Sequence, residues 1–307
     1  MADRRDVVLF LTLAFLWGSA FVAIKFGLNY FPPVLYAALR YEFGGLVVLA
    51  YAAATCERWV PRGWADAQQI LVRAVLIFAV FHALLFLGQQ YVPSAIAAIL
   101  VAMNPVLTAG FSRVLLPEED ITVRDAAGLL CGLAGVVVLV GPDVAGLGGL
   151  GGLGGGESGG LRGPLLVFGG VVAIALGSTL AERLDQRLDA RPLTGWSMFL
   201  GALLIHVGSL ASGESLAAVQ WTPLSIAALL YIAILPGAAG FICYFELLDS
   251  LVPYKVNLVN YVVPVVATVF GWVLLGEVLG PEALVGFLVI LLGFSLLHWR
   301  QVRGYVG

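Results

Sequence analysis

The sequence predicts an all-α integral membrane protein whose ten transmembrane helices form two inverted five-helix repeats. Three observations support this prediction: a strongly apolar composition, ten hydrophobic segments of membrane-spanning length, and a match between the two halves of the chain. Of the 307 residues, 61% are hydrophobic and only 11% are charged. Soluble domains average about 45–50% apolar and about 25% charged residues, so the composition excludes an ordinary soluble domain.

A transmembrane helix needs roughly 20 apolar residues to cross the hydrocarbon core of a bilayer. Ten segments meet this requirement, and short breaks that carry proline, glycine or charge separate most of them. The predicted spans cover about residues 7–28, 33–54, 68–90, 94–115, 123–141, 163–182, 193–212, 222–245, 254–275 and 281–299. The first segment follows a basic lead-in, but its apolar part exceeds the roughly 7–15 residues of a signal-peptide core, which predicts a retained helix.

A glycine-rich segment separates the two halves. The predicted organisation is a first repeat over residues 1–141, a linker over residues 142–162 and a second repeat over residues 163–307. The linker lacks the Gly-Lys-Ser/Thr ending of a phosphate-binding loop, which favours a flexible connection over a nucleotide site.

Lysine and arginine are distributed asymmetrically across the predicted membrane. When the N-terminus is placed in the cytoplasm, only Arg162 among the basic residues of the predicted loops falls outside. The positive-inside rule therefore predicts a plasma-membrane protein with both termini in the cytoplasm. Acidic and basic residues number 19 and 16 and form no basic stripe, so we expect a lipid bilayer but no nucleic acid as a partner.

The two halves align without a gap from Trp17 to Glu118 when the chain is shifted by 159 residues. The clearest match joins NPVLTAGFSRVLLPE to VPVVATVFGWVLLGE, where Pro105 meets Pro264 and Glu118 meets Glu277. Each half holds five spans, an odd number, so the second copy must enter the membrane inverted. Inverted repeats with interrupted helices at matched positions are typical of secondary transporters, whose binding sites lie near the midplane between the repeats.

Prolines and glycines mark the predicted interruptions. Pro105 and Pro264 are expected to bend the fourth and ninth helices, because proline removes a backbone donor and clashes with the preceding turn. In the eighth helix, Pro236, Gly237 and Gly240 form a hinge candidate with no predicted counterpart in the third helix. The alternative is that the prolines produce packing kinks without any ligand contact.

Two stretches carry a resemblance to a known family: WGSAFVAIKFGLNYFPPVLYAALRY, residues 17–41, and ILVAMNPVLTAGFSRVLLPEE with its partner in the second half. They resemble EamA-type members of the drug/metabolite transporter superfamily, and the resemblance covers nearly the whole chain. It implies a ten-helix exporter of small metabolites, often amino acids, with a central cavity open to one side at a time. The sixth helix departs from this pattern because it lacks counterparts of Trp17 and Lys25.

Polar side chains within lipid are costly and are functional candidates by default. Together with aromatic side chains expected to line the cavity, the candidate substrate contacts are Arg40, His82, Asn104, Asn257, Asn260, Trp17, Tyr36 and Tyr261. Arg40 has the geometry to bind a carboxylate or phosphate with two parallel hydrogen bonds, and its alternative is a structural pair with Glu42 or another polar group. The two asparagines of the ninth helix share one face and predict a polar strip, or else hydrogen bonds between helices. Each aromatic residue has packing or anchoring at the membrane interface as its alternative.

His82 and Glu42 are the candidates for coupling transport to protons. Histidine titrates near neutral pH, but a hydrogen-bonded structural histidine is the equal alternative at position 82. His206 is a similar but weaker candidate. Lys25 lies near the end of its helix, where its long side chain can reach water.

The function predicted from these features is export of a small molecule by alternating access. The alternatives are a passive facilitator or channel, and a membrane-embedded enzyme. The sequence holds no His-Glu-x-x-His or Gly-x-Ser-x-Gly motif and no metal-ligand spacing, so we predict no catalytic residue, metal or cofactor. Five glycines of the fifth and tenth helices predict close helix packing, with a homodimer face as a further use: Gly128, Gly132, Gly135, Gly286 and Gly293.

Overall fold

The computed structural model describes residues 3–115, 122–144 and 160–297, without the side chains of residues 141–144 and 253–254. The described residues form helices and turns and include no β-strand, which confirms the prediction of an all-α membrane protein. Glu118 and the central part of the predicted linker lie outside the described residues.

Nine helices in the described part of the chain are long and apolar enough to span a membrane. A tenth apolar helix is shorter, so the count of ten spans remains a prediction. In chain order the helices are α1 Arg4–Gly27, α2 Pro33–Thr55, α3 Trp64–Gln89, α4 Ser94–Leu115, α5 Val123–Val144, α6 Arg162–Glu182, α7 Ala190–Ala211, α8 Pro223–Ser250, α9 Lys255–Leu275 and the shorter α10 Pro281–Leu297.

Helices α3 and α8 contain π-helical segments at equivalent places in the two halves. The segment of α3 is Arg73–Val80 and that of α8 is Ala233–Ala239. The 159-residue shift between the repeats superimposes their ends at residues 80 and 239. The irregular segment of the eighth helix therefore has a counterpart in the third, which corrects the expectation of an asymmetric break. π-helical turns interrupt the regular hydrogen-bond ladder and occur often at functional sites.

Helices α4 and α9 are both interrupted, but at positions that do not correspond. Helix α4 consists of Ser94–Val101 and Asn104–Leu115, with a turn between them directly before Pro105. In α9 the interruption lies at Leu258, and Pro264 falls inside the continuous segment Val259–Leu275. The fourth helix thus breaks within the three residues that precede its proline, whereas the ninth breaks six residues before its proline.

The main contacts between helices of the two halves each have an equivalent contact between the counterparts of those helices. Helix α2 packs along α7 and α5 along α10, so each of these helices contacts its own counterpart. Helix α1 packs against α8 and α9, and α6 likewise packs against α3 and α4. This pattern is the one that an inverted repeat predicts. All of these contacts join the first half to the second, so every helix takes part in the interface between the halves.

Glycines bring α5 and α10 into backbone contact. A Cβ atom added at Gly135 would lie 2.8 Å from the carbonyl oxygen of Gly286, and one added at Gly286 would lie 2.8 Å from that of Gly135. Gly128 and Gly293 repeat this arrangement further along the two helices. These glycines face each other within one chain, so they provide the predicted close packing and do not form a homodimer face.

Two glutamates cap helix starts at the end of the bundle that lies opposite the beginning of α1. We call this end the opposite face and the other end the amino-terminal face. Glu214 accepts hydrogen bonds from the backbone N–H groups of Val34 and Leu35 at 3.2 and 2.7 Å, where α2 begins. Glu277 accepts the N–H of Ser94 at 3.0 Å, where α4 begins. A negative charge at a helix N-terminus is favourable because it interacts with the unpaired N–H groups and the helix dipole.

Replacing Glu277 by alanine is expected to destabilise the protein by about 1.5–3 kcal/mol, the usual contribution of hydrogen bonds to charged groups. The carboxylate also accepts a bond from the Ser94 hydroxyl at 3.2 Å, which the substitution removes as well. Thermal unfolding of the purified protein in detergent measures the effect. The matched control is Glu57→Ala in an exposed loop, and an equal midpoint for the two variants would contradict the capping role.

Ion pairs and hydrogen bonds join helices at the amino-terminal face. Arg5 of α1 forms an ion pair with Glu246 of α8, and the Ser250 hydroxyl donates to Asp6 at 2.9 Å. These contacts fix the start of the first helix to the end of the eighth.

Candidate substrate-binding site

Arg40 is the most unusual residue of the membrane interior. It lies seven residues into α2, about 10 Å along the helix from its start at Pro33, and only 6% of it is exposed. The guanidinium group lies over the rings of Tyr41 and Phe86, 4.8 and 6.0 Å from their centroids. Its Nε atom is buried without a hydrogen-bond partner, and no carboxylate among the described residues pairs with it. The predicted alternative of a pair with Glu42 is therefore not formed.

His82 is held in place from two sides. Its Nε2 atom bonds to the Tyr41 hydroxyl, and its Nδ1 atom lies 3.0 Å from the carbonyl oxygen of Phe78, one turn earlier in α3. The ring is buried and close enough to Arg40 to interact with it electrostatically. Both ring nitrogens are thus occupied by protein groups, as expected of a structural histidine that also orients Tyr41 beneath Arg40.

Glu42 faces a different helix. Its Oε1 atom lies 2.6 Å from Nδ1 of His206 in α7, and the two side chains are 19% and 27% exposed. A carboxylate and an imidazole at this distance can share a proton. The structure therefore joins one coupling candidate to the histidine that sequence reasoning ranked lower.

Trp17 packs against the predicted hinge of α8. A Cβ atom added at Gly240 would lie 2.7 Å from the indole Nε1, so a larger residue at 240 would displace the tryptophan. The indole ring also contacts Phe241 and Tyr244, with centroids 5.8 and 5.6 Å away. Pro236 and Gly237 are buried within the π-helical segment of α8.

Tyr36 and Tyr261 differ in the state of their hydroxyl groups. Tyr36 is fully buried, stacks on Phe31 at 4.7 Å and donates to the carbonyl oxygen of Ala23 at 3.3 Å. These contacts match its packing alternative. Tyr261 packs on Phe294 at 4.5 Å, but its buried hydroxyl has no hydrogen-bond partner among the described residues.

The three candidate asparagines lie at the interruptions of α4 and α9. Asn104 begins the second segment of α4 and accepts a bond from the Thr108 hydroxyl at 3.2 Å. The Asn260 amide donates to the backbone carbonyl of Asn257 at 3.0 Å, across the break at Leu258. Asn257 is exposed. The amide of Asn260 therefore stabilises the helix interruption. Because it bonds to the backbone of Asn257, this contact gives no support to a polar strip formed by the two asparagine side chains.

The sequence pattern of the EamA-like transporter family matches residues 5–141 and 161–299, which together cover nearly the whole chain. The chain belongs to the EamA-like transporter family. It is accordingly a multi-pass membrane protein related to transporters.

Several relatives of this EamA-like transporter match over most of their length. The uncharacterized transporter YvbV of Bacillus subtilis is 29% identical over 98% of this chain and 94% of its own. The uncharacterized inner membrane transporter YedA of Escherichia coli is 28% identical over 87% of this chain and 82% of its own. The S-adenosylmethionine/S-adenosylhomocysteine transporter of Chlamydia trachomatis is 28% identical over 98% of this chain and 92% of its own.

A solved crystal structure has the same fold as this EamA-like transporter. It superimposes with a TM-score of 0.65 over 98% of this chain and 99% of the other, at 21% sequence identity. This likeness supports the arrangement of the helices and carries no information about the substrate.

The predicted site residues of the EamA-like transporter fall into separate groups. Arg40 and His82 meet through Tyr41, a residue that sequence reasoning missed because a tyrosine beside an arginine has no distinctive spacing. Trp17 and Gly240 form a second group, which a ring contact of 6.0 Å between Phe78 and Phe241 connects to the first. In the described part of the chain, no three His, Cys, Asp or Glu side chains are grouped so that they could hold a metal ion.

Proposed function

We propose that this EamA-like transporter moves a small metabolite with a carboxylate group across the plasma membrane by alternating access, and that Arg40 binds the carboxylate. The observation that carries this proposal is the burial of the Arg40 guanidinium without an anionic partner. A buried charge is costly unless it is paired. A substrate carboxylate would supply the missing partner through two parallel hydrogen bonds.

The Chlamydia trachomatis relative supports the carboxylate class. S-adenosylmethionine and S-adenosylhomocysteine, the compounds in its name, are amino-acid derivatives and both carry a carboxylate. Export of amino acids or their derivatives, as the family resemblance implies, requires the same group to be recognised.

The proposed orientation places the amino-terminal face in the cytoplasm. The distribution of lysine and arginine supports this orientation. In this scheme residues 1–141 and 163–307 are the two repeats, residues 142–162 connect them outside the cell, and the halves rock against each other to expose the site alternately. A homodimer would need a surface other than the α5–α10 contact.

The proposal is tested by flux measurements in liposomes that contain the purified protein. Radiolabelled S-adenosylmethionine, L-phenylalanine and L-glutamate serve as probes. We expect saturable flux of at least one probe. The unlabelled free acid of that probe should inhibit the flux, whereas its methyl ester, which lacks the negative charge of the carboxylate, should not. Equal inhibition by acid and ester would contradict the role of the carboxylate. Conversion of a probe into another compound would instead favour the membrane-embedded enzyme.

Proton coupling is proposed to use the Glu42–His206 pair, because both nitrogens of His82 are already occupied by protein groups. If one proton is exchanged per substrate, a gradient of one pH unit can drive about tenfold accumulation. We expect Glu42→Gln to remove the response of flux to an imposed pH gradient while exchange of labelled for unlabelled substrate continues. A wild-type protein with no pH response would be the passive facilitator, and a Glu42→Gln variant with the full response would exclude this pair.

A further inference from the structure

A second arginine lies deep in a membrane-spanning helix without a carboxylate partner. Arg73 is the first residue of the π-helical segment of α3, nine residues and about 14 Å along the helix from its start at Trp64. It is half-buried, and no acidic side chain among the described residues forms an ion pair with it. By charge distribution alone it belongs to the basic residues of the cytoplasmic side. Its position inside the helix distinguishes it from the loop arginines.

Gln69 holds the Arg73 guanidinium in a defined position. The Gln69 Oε1 atom accepts a hydrogen bond from Arg73 Nε at 3.2 Å. Gln69 is itself buried and fixed, because its amide donates to the carbonyl oxygens of Ala181 and Leu184 at 2.8 Å each. This contact uses Nε and leaves the two terminal amino groups of Arg73, the pair that binds carboxylates, without a hydrogen bond to the described residues.

An aromatic side chain of α8 is near this guanidinium. Tyr244 is close enough to Arg73 to interact with it electrostatically, and its ring packs against Trp17 of α1. Trp17, Phe241 and Tyr244 are half-buried, in contrast to the buried Phe78 and Tyr41 nearby. Each of these three rings therefore keeps some surface that the protein does not cover.

A continuous series of ring contacts leads from Tyr244, which interacts electrostatically with Arg73, to Tyr41, over which Arg40 lies. The series runs from Tyr244 to Trp17, then to Phe241, to Phe78 at 6.0 Å and to Tyr41 at 5.6 Å. Helix α3 begins at the amino-terminal face and α2 at the opposite face. The two arginines therefore lie at different depths between the two faces of the bundle.

We propose that Arg73, positioned by Gln69 and near Tyr244 and its ring neighbour Trp17, is a second anion-binding site of the pathway, on its cytoplasmic half. This inference rests on the proposed function. The carboxylate of the substrate binds the terminal amino groups of Arg73, its apolar part packs on the two rings, and the carboxylate then passes to Arg40. Two successive sites let an anion enter the interior without being trapped at one buried charge, as in channels where binding must permit release.

The experiment compares substrate affinity from the two sides of the membrane. Inside-out and right-side-out membrane vesicles are supplied with the same three radiolabelled acids. For Arg73→Gln we expect the KM measured from the cytoplasmic side to rise about tenfold, equivalent to about 1.4 kcal/mol, with little change from the other side. Arg73→Lys should restore part of the affinity, and Arg187→Gln, which removes an exposed loop arginine, serves as the control for lost charge.

Equilibrium binding of the same acids to the purified protein is measured in parallel. Saturable binding that weakens in Arg73→Gln supports the second site even if no transport is measured. In that case the proposed transport function is wrong, but the second binding site is kept. Unchanged cytoplasmic KM, an equal rise from both sides, or binding that is absent from wild type or unaffected in Arg73→Gln would overturn the second site. Normal Arg40-dependent flux beside any of these results would leave the proposed function standing.

Discussion

Arg40→Gln is expected to abolish transport and at the same time to raise the thermal stability of the protein. The guanidinium is buried without an anionic partner and its Nε atom lacks a hydrogen bond, so the rings of Tyr41 and Phe86 offset only part of its desolvation until substrate binds. Removing it relieves that cost in the empty protein. The bound state loses a buried ionic contact of roughly 3–5 kcal/mol, which corresponds to a fall in kcat/KM of at least about 100-fold.

The two effects of this substitution have opposite signs, which separates a binding role from a structural one. Flux in liposomes and the unfolding midpoint in detergent are measured on the same preparations. Arg40→Lys keeps the charge but loses the planar pair of donors, so it should retain only a small part of the flux. If Arg40→Gln lowered the midpoint while the folded fraction transported normally, Arg40 would be a packing residue.

Gly293→Val is expected to destabilise the protein strongly. A Cβ atom at this position would lie 2.7 Å from the carbonyl oxygen of Gly128 and 2.7 Å from the backbone nitrogen of Gly132. Backbone atoms of a packed helix cannot move aside as a side chain can, so α5 and α10 would have to separate. Overpacking typically costs about 1–3 kcal/mol, and we expect a value at or above the upper end of this range because the contact extends along both helices.

The matched control for this substitution is Gly208→Val in α7. No atom lies within 4 Å of a Cβ added at Gly208, so this change should alter stability by no more than about 0.5 kcal/mol. The yield of monodisperse protein and its unfolding midpoint are compared for the two variants. Equal behaviour would mean that α5 and α10 do not approach as closely as described.

The sequence carries enough information to predict the features that depend on composition, local spacing and the cost of polar groups in lipid. Nine spans, the glycine contact of α5 and α10 and the deep position of Arg40 all follow from such rules. The burial of a charge in a membrane is so unfavourable that one arginine inside an apolar segment is informative by itself.

Features that depend on packing between distant helices could not be predicted. The partner of Glu42 is 164 residues away in α7, and no local pattern relates the two positions. The π-helical segment of α3 has the ordinary apolar sequence RAVLIFAV, without proline or glycine, and therefore gave no signal. Arg73 lies inside the predicted span 68–90, close to its cytoplasmic end, where the positive-inside rule already accounts for a basic residue, so no sequence feature singled it out as a binding residue.

The unequal positions of the interruptions in α4 and α9 have a consequence for the conformational equilibrium of the empty protein. Two identical halves would make the inward-open and outward-open states equivalent by a twofold rotation about an axis in the membrane plane, and so equal in free energy. Because one helix breaks at residues 102–103 and its counterpart breaks at Leu258, the two states contain different backbone hydrogen bonds. A difference of one bond, about 1 kcal/mol, already shifts the populations about fivefold. The resting transporter is therefore expected to populate one opening in clear excess over the other.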